Sequence, residues 1–323
     1  MDIKHLRTVV AVAEAGSITK AAKILYIAQP ALSTQLQQLE SILGVELFAR
    51  TPKGVQLTEA GEKFLIHAKA ILKYTEHAVE EMKTNGTNDM SGLINIGCVN
   101  SLTTTVGATL LKSLKYRYPK LLVSIQTLGG SALQHSAVSA ELDFYVHILA
   151  VNLKKDDGTT VLRIDNPMAL GAQHKKIATE KFLLCLPQSG VSDAGRRDRM
   201  IGHELPPQIL ETAPICLFNK DHAVMKLIDW LVAEHDLEIS HYGYSNNTEV
   251  LIDLVSAEQC IALLPSSITE LSFRRPHISL HSLRGYHIER EIGLCYADDL
   301  VVSETIRVVM EQAEEVLLNA LSD

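Results

Sequence analysis

Long apolar runs are missing from this 323-residue chain. No stretch approaches the ~20 residues that a membrane-crossing helix needs, so no membrane partner is expected. The apolar stretch 8–13 is shorter than the roughly 7–15 residues of a signal core and continues into another helix pattern, so it is not read as an export signal. Nor does the chain contain G-x-x-x-x-G-K-S/T, G-x-G-x-x-G, H-E-x-x-H or G-x-S-x-G. The local signatures of phosphate-cradling loops, dinucleotide sites, helical zinc sites and hydrolase nucleophile elbows are therefore absent. Cysteines are few and scattered: Cys98, Cys185, Cys216, Cys260 and Cys295 are odd in number and form no C-x-x-C pair. They read as reduced buried thiols of a cytoplasmic protein, with a redox-active cysteine as the open alternative. Of 13 histidines, His277 and His281 stand four apart. The residues between them read as strand and no third ligand is in view, so neither a metal nor a cofactor is expected.

Excess positive charge is lacking too. The formal net charge is −8, yet residues 1–60 hold six Lys/Arg against five Asp/Glu, a surplus of one positive charge. The acidity lies further along. This balance permits a DNA reader with a few well-placed cations without arguing for one. With 46% hydrophobic residues the chain can build sizeable cores, and its length suggests about two or three domains.

What is present is most specific between Gly16 and Gly61. Leu6, Val9, Val10 and Ala13 repeat at helical spacing and make a first helix ended by Gly16. Ser17 caps a second helix whose apolar face is Ile18, Ala21, Ala22 and Leu25. After a turn at residues 26–28, Pro30 takes the first position of a third helix, where its missing N–H is harmless. Leu32, Leu36, Leu39 and Leu43 bury one side of it; Gln29, Ser33, Thr34, Gln37 and Gln38 face outward. Amide and hydroxyl side chains both donate and accept, as base edges require. An ordinary solvated face would look the same in isolation, but the ordered set of parts favours a reader helix. Val45, Leu47 and Phe48 then read as a strand, and Val55 and Leu57 as its return. The tip between them carries Arg50, Thr51 and Lys53, suited to phosphate contacts.

Thr58 starts a long helix on which Phe64, Ala68, Ile71, Thr75, Val79 and Met82 advance by fours and threes. That heptad spacing, with Lys and Glu elsewhere on the helix, reads as a dimerisation seam, the alternative being a helix packed on its own domain. Residues 85–88 close the helix and mark a linker.

These residues resemble the DNA-binding half of the LysR-type transcriptional regulators. The likeness rests on residues 11–14, Gly16, Ser17, Ala21, Ala22, Leu25, residues 29–33, Leu39, Glu40, Gly44, Val45, Leu47, Phe48, Arg50 and residues 57–61. It implies a winged helix-turn-helix in which Ser17, Thr19, Gln29, Pro30, Ser33, Thr34, Gln37, Arg50, Thr51 and Lys53 contact promoter DNA. Members of the family often carry arginines on the outer face of the third helix, where this chain has Gln35, Gln37 and Gln38. Residues 27–33 together with 67–72 resemble the nitrogen-assimilation-control type within the family.

Beyond residue 90 strands alternate with helices. Residues 93–97, 121–127 and 142–147 read as strands around helices marked by Val106, Leu110, Leu111 and Leu114 and by the stretch from Gly130 to Ala140. A second series runs through strands at 182–186, 214–218 and 261–265, with helices around Trp230 and residues 250–256, and a last helix near 303–321. Such alternation implies parallel sheet with right-handed crossovers. It resembles the family's two-lobed, periplasmic-binding-protein-like α/β effector domain, through residues 92–97, Tyr118, Pro119, Leu142, Asp143 and 261–265. Two departures from that pattern are Ala257 to Cys260, where glycines are usual, and a longer stretch 152–181.

The resemblance implies a reader at 1–58, a linker helix at 59–88 and an effector domain at 89–323, with lobe I at about 91–185 and 270–323 and lobe II at about 186–269. A small-molecule effector would sit at strand C-termini between the lobes. Its candidate contacts are Asn100, Ser101, Thr103 and Thr104 after the first strand, Gly129, Gly130 and Ser131 after the second, and Phe218, Asn219, Asp221 and His222 in the other lobe. Helix capping is the competing reading of each. An anionic ligand would find its best cradle in the donor-rich turn from Ser101 to Thr104, against which Asp221 argues. The expected protein is a cytoplasmic DNA-binding transcriptional regulator, a homodimer doubled to a homotetramer that contacts RNA polymerase, and not an enzyme. The rivals are an exported solute-binding protein, which leaves the first ninety residues idle, and a cytoplasmic enzyme using the cleft, which lacks a paired catalytic constellation.

Overall fold

Asp2 begins the first helix: its carboxylate accepts from the amides of Lys4 and His5, which satisfies two of the free donors of a helix start. The helices α1 (Ile3–Ala15), α2 (Ile18–Ile24) and α3 (Gln29–Leu43) follow, then the hairpin β1 (Phe48–Thr51) and β2 (Gly54–Leu57), and the long helix α4 (Glu59–Lys83). The computed structural model describes residues 1–52, 54–83, 90–139, 141–168, 172–187, 201–219, 222–268, 278–297 and 304–321. Val9, Val12, Ala21, Ala22, Leu32, Leu36, Leu39, Leu47 and Phe48 form one buried cluster, so the apolar faces read from spacing do meet.

Two tight contacts lock the hairpin in place. Gly54 has φ +137°, and a Cβ there would stand 2.3 Å from the Gly16 carbonyl oxygen, which accepts from the Val55 amide at 3.1 Å. The hairpin is thus hooked onto the α1–α2 turn. At Gly61 a Cβ would lie 2.0 Å from the Leu47 carbonyl oxygen. The Glu40 carboxylate accepts from the amides of Leu47 and Phe48 at 2.8 and 3.3 Å, tying the end of α3 to the hairpin.

In the rest of the chain come β3 (Gly92–Cys98), α5 (Asn100–Leu102), which passes through a π-turn at Thr103–Gly107 into α6 (Ala108–Arg117), then β4 (Leu121–Thr127), α7 (Gly130–Val138), β5 (Phe144–Lys155), β6 (Thr160–Asp165), β7 (Ala172–Pro187) and β8 (Ile201–Leu205). After these come β9 (Ile215–Leu217), α8 (Ala223–His235), β10 (His241–Tyr244), α9 (Thr248–Ser256), β11 (Ile261–Pro265), β12 (Ile278–Leu283), β13 (Tyr286–Ala297) and α10 (Glu304–Leu321). β3 pairs in parallel with β4 and with the start of β5. β9 pairs in parallel with β10 and β11. The parallel sets expected from the sequence are therefore present in both series.

How the sets are joined differs from a simple alternation. β13 runs antiparallel to both β5 and β7, and β7 continues into antiparallel pairing with β11 and β12. All eleven strands belong to one sheet. The stretch 152–181, which reads from sequence as a long insertion, becomes the end of β5, the hairpin partner β6 and the start of β7. The strand expected at 142–147 runs from Phe144 to Lys155 and is buried along its first ten residues, as a strand covered on both faces must be. Residue 185, where lobe I was expected to give way, lies within β7.

Candidate nucleic-acid interface and interlobe site

α3 divides cleanly. Leu32, Leu36 and Leu39 are buried, while Gln29, Pro30, Thr34 and Gln37 are exposed and Ser33 is half-buried. The Gln29 Nε2 donates to the Ser33 hydroxyl at 2.9 Å, and the Thr34 hydroxyl to the Pro30 carbonyl at 3.0 Å. These local bonds hold the side chains against the helix surface without hiding them. Gln35 departs from the expected outer face: its Oε1 accepts from the buried Thr8 hydroxyl at 2.8 Å, so it clamps α3 to α1. Pro30 occupies the second position of the helix, not the first; that amide too has no partner within the helix, so the residue is equally tolerated.

Around this face, Ser17 caps α2 by accepting from the Lys20 amide at 3.4 Å, and Thr19 is exposed beside it. Arg50 is exposed on the hairpin, and the Thr51 hydroxyl donates to the Gly54 carbonyl at 3.2 Å. Lys53 and Asp221 lie outside the described residues, as do 85–88, 196–199, 274–275 and His277.

The residues of the expected seam on α4 separate into two groups. Ala68 is fully buried within the chain, and Phe64 packs on the winged-helix core. Ile71, Val79 and Met82 are exposed, as is Tyr74 one turn from Ile71, with Met82 81% accessible; Thr75 spends its hydroxyl on the Ile71 carbonyl. The first turns of α4 therefore serve their own domain, and the unpartnered apolar stripe begins at Ile71. The same helix touches the large sheet domain: Lys73 pairs with the buried Asp143 at 3.0 Å and Lys69 with Glu141 at 3.1 Å. A cavity of about 570 Å³ lies beside these pairs, between α1, α4 and β3.

Between the two parallel sets, the expected contact residues fall into distinct environments. The Thr103 and Thr104 hydroxyls turn back onto the Val99 and Asn100 carbonyls, the capping-type alternative. Asn100 reaches across to the Asn246 carbonyl at 3.3 Å. Gly129 and Ser131 are exposed at the start of α7, and Gly130 lies against the His147 ring, where a Cβ would be 3.0 Å from Cε1. Phe218 is buried and stacks on His222 at 4.3 Å between centroids; Asn219 is exposed. His222 caps α8 by accepting from the Val224 amide. Burial, aided by the nearby Arg290, holds its pKa down at about 4, so it is neutral at pH 7.

The centre of this region is a group that the sequence reading missed. Arg290 on β13 and Glu180 on β7 are cross-strand partners, 1% and 2% exposed. The guanidinium donates from Nε to Glu180 Oε2 at 2.7 Å and from Nη1 to the Ser101 hydroxyl at 2.7 Å. Glu180 Oε1 accepts from the Ser267 amide at 2.7 Å, and Arg290 lies over the Phe182 ring. Period-two reading would have found both residues. Arg290 shares a face with Ile288, Ile292 and Leu294, and Glu180 with Phe182 and Leu184, so each is a charge on a core-facing register. All five cysteines are buried; burial pushes the Cys98 thiol up to about 11 and the Cys260 and Cys295 thiols up to about 12, which disfavours the reactive thiolate. Among the described residues no helix is long and apolar enough to cross a membrane.

Comparison with known proteins places both halves. Residues 3–62 match the family described as bacterial regulatory helix-turn-helix protein, lysR family, and residues 87–318 match the LysR substrate binding domain. The HTH-type transcriptional regulator BudR of Raoultella terrigena is 30% identical over 300 residues, covering 92% of this chain and 94% of that protein. The nitrogen assimilation regulatory protein nac of Klebsiella aerogenes is 33% identical over 147 residues, 45% of this chain and 48% of nac. Among solved structures, a full-length variant of OxyR from Pseudomonas aeruginosa aligns with a TM-score of 0.70 at 18% identity, covering 98% and 97% of the two chains. Full-length CbnR complexed with its target DNA aligns at 0.53 and 20%, covering 98% and 99%. At these identities the structural likeness concerns the fold.

Proposed function

The chain belongs to the LysR family of transcriptional regulators, with a DNA-binding helix-turn-helix and an effector-binding domain, and on that premise we propose how its own residues do the work. The division is a reader at 1–58, a linker at 59–88 and an effector domain at 89–323, with lobe I at about 91–185 and 270–323 and lobe II at about 186–269. α3 enters the major groove and reads bases through Gln29, Ser33, Thr34 and Gln37, with Pro30 against backbone or a thymine methyl. Arg50, Thr51 and Lys53 hold phosphates from the hairpin, and Ser17 and Thr19 do so from α2. The observation that carries this reading is the exposed amide and hydroxyl face of α3 opposite the buried Leu32, Leu36 and Leu39, with the hairpin fixed beside it.

Copies of the chain pair through α4 and double to a tetramer, setting readers on half-sites one helical turn or a multiple apart. The protein acts in the cytoplasm, contacts RNA polymerase and performs no chemistry on its ligand. A small effector held between the lobes shifts the placement of the reader pairs, which requires that it bind the two arrangements unequally. The nitrogen-assimilation-control reading rests on residues 27–33 and 67–72 and is supported by 147-residue matches to nac of two organisms, each of which leaves half of that protein uncovered.

Footprinting upstream of the protein's own gene tests the reader. Gln37→Ala is expected to relax preference at one base position, at a cost of about 1–3 kcal/mol in discrimination. Arg50→Ala is expected to weaken all sites about equally and to lower the salt slope by ~1. Protection unchanged by both variants would sink the docking. For the pairing, Ile71→Asp should give monomers in sedimentation velocity, because it places a charge at the head of the exposed stripe; a retained oligomer mass refutes the seam.

A further inference from the structure

We propose that the interlobe site carries its own carboxylate: Glu180 fills the anion position of the cleft against Arg290, so the site of this chain takes uncharged polar ligands and turns away ligands that present a free carboxylate. This rests on reading the cleft as the effector site.

The geometry is that of a ligand subsite already occupied. β3 ends at Cys98 and β11 at Pro265, and the residues just beyond each, Ser101 and Ser267, both reach the ion pair. In sheets of this kind ligands collect outside the carboxyl ends of strands, where the order reverses. The donors gathered there are a guanidinium and a backbone amide from the opposite half of the sheet, the set that recognises a carboxylate. Glu180 satisfies it with one oxygen on Arg290 and the other on Ser267. The side chain beyond Cβ is CH2–COO⁻, one hydrogen short of acetate. Charge settles the preference. Arg290 and Glu180 cancel, and His222 is neutral at pH 7. A second carboxylate brought to this place would face Glu180 with Arg290 already neutralised by it, in a poorly screened interior where like charges repel strongly. The Ser101 hydroxyl, which accepts from Arg290, keeps its own proton to offer an uncharged hydroxylated ligand, and the Thr105 hydroxyl, which donates to the Ser101 carbonyl at 3.1 Å and lies 3.4 Å from the Ser267 hydroxyl, keeps acceptor capacity.

Glu180→Ala in the full-length protein tests this, with sodium acetate as the probe and sodium chloride at equal ionic strength as the control. Acetate is expected to raise the melting temperature of Glu180→Ala saturably, by about 2–6 °C at tenfold saturation. It should move neither the wild type nor Arg290→Gln/Glu180→Gln, in which shape is kept and charge removed. If Glu180→Ala is insoluble in chloride, refolding from urea in acetate should recover it. Insolubility in both salts, no acetate response in a folded Glu180→Ala, or an equal response in the wild type overturns the proposal. The footprint separates the two readings: acetate that restores stability yet leaves the promoter footprint of Glu180→Ala unmoved overturns the cleft as effector site while the anion position stands.

Discussion

Arg290→Ala is expected to be the most damaging single substitution in the effector domain. It deletes a guanidinium that is 1% exposed and leaves the Glu180 carboxylate, 2% exposed, with the Ser267 amide as its remaining hydrogen-bond donor here. Breaking a buried pair from one side costs about 3–5 kcal/mol, because the surviving charge keeps its desolvation penalty and loses its partner. For a domain of this size that lowers the melting temperature by roughly 6–20 °C. The packing lost over Phe182 and the bond lost to Ser101 act in the same direction. The double variant Arg290→Met/Glu180→Leu separates charge from volume. With both ions gone and shape roughly kept, stability should return to near the wild type or above it. Calorimetry on the two variants checks this. A single variant melting within about 1 °C of the wild type, a change worth well under 1 kcal/mol, would mean that the pair is solvated.

Gly61→Ala is expected to disable the reader without touching any base-contacting residue. Two effects oppose each other. Alanine is the better helix former by about 1 kcal/mol. Against that, the new methyl would lie 2.0 Å from the Leu47 carbonyl oxygen, which is backbone and already accepts from the Thr58 amide at 3.0 Å. Neither side can yield cheaply: α4 starts at Glu59, and Leu47 is held from its other side by Glu40. Steric overlap of this kind costs about 1–3 kcal/mol, so the clash wins and the hairpin is displaced from α3. Gel shifts should show lost promoter affinity together with an early-melting reader, while the ion pair of the effector domain is unaffected. Wild-type affinity in Gly61→Ala would show that the hairpin position is not critical.

The winged helix-turn-helix was legible because each of its elements announces itself locally. Leucines at fixed spacing, Ser17, Gly16, Gly44 and Pro30 mark faces and ends within a few residues. Even so, one glutamine of the outer face, Gln35, turned inward to Thr8, since helical spacing places a side chain on a face but does not say what stands opposite. Ala68 and Phe64 fit heptad spacing and yet pack on their own domain, because periodicity does not distinguish a copy from a neighbour. The effector domain was legible as two parallel sets and not as one sheet. What joins them is the pairing of β7 with β13 across more than a hundred residues, and long-range register leaves no local mark. The interlobe ion pair was missed for a different reason: its mark is local, a charge on a core-facing alternation, but it lies among other charges. Arg290 sits between Glu289 and Glu291, and the triplet looks like a solvated loop until the alternating register assigns its middle member to the core.

The ladder through β5, β13 and β7 has a mechanical consequence, because both pairings of β13 slip register at one place, between Glu291 and Ile292 against β5 and between Ile292 and Gly293 against β7. A clamshell needs a hinge, and a bulge is where a paired strand can bend, so the joint falls within the crossing strands themselves and not in a loop between two lobes. The motion such a joint permits is a bend or twist of one half of the sheet against the other. A ligand lodged beside that joint would turn one half of the plank against the other, and the tie to α4 through Lys73 and Asp143 would pass the rotation on to the heads on the double helix.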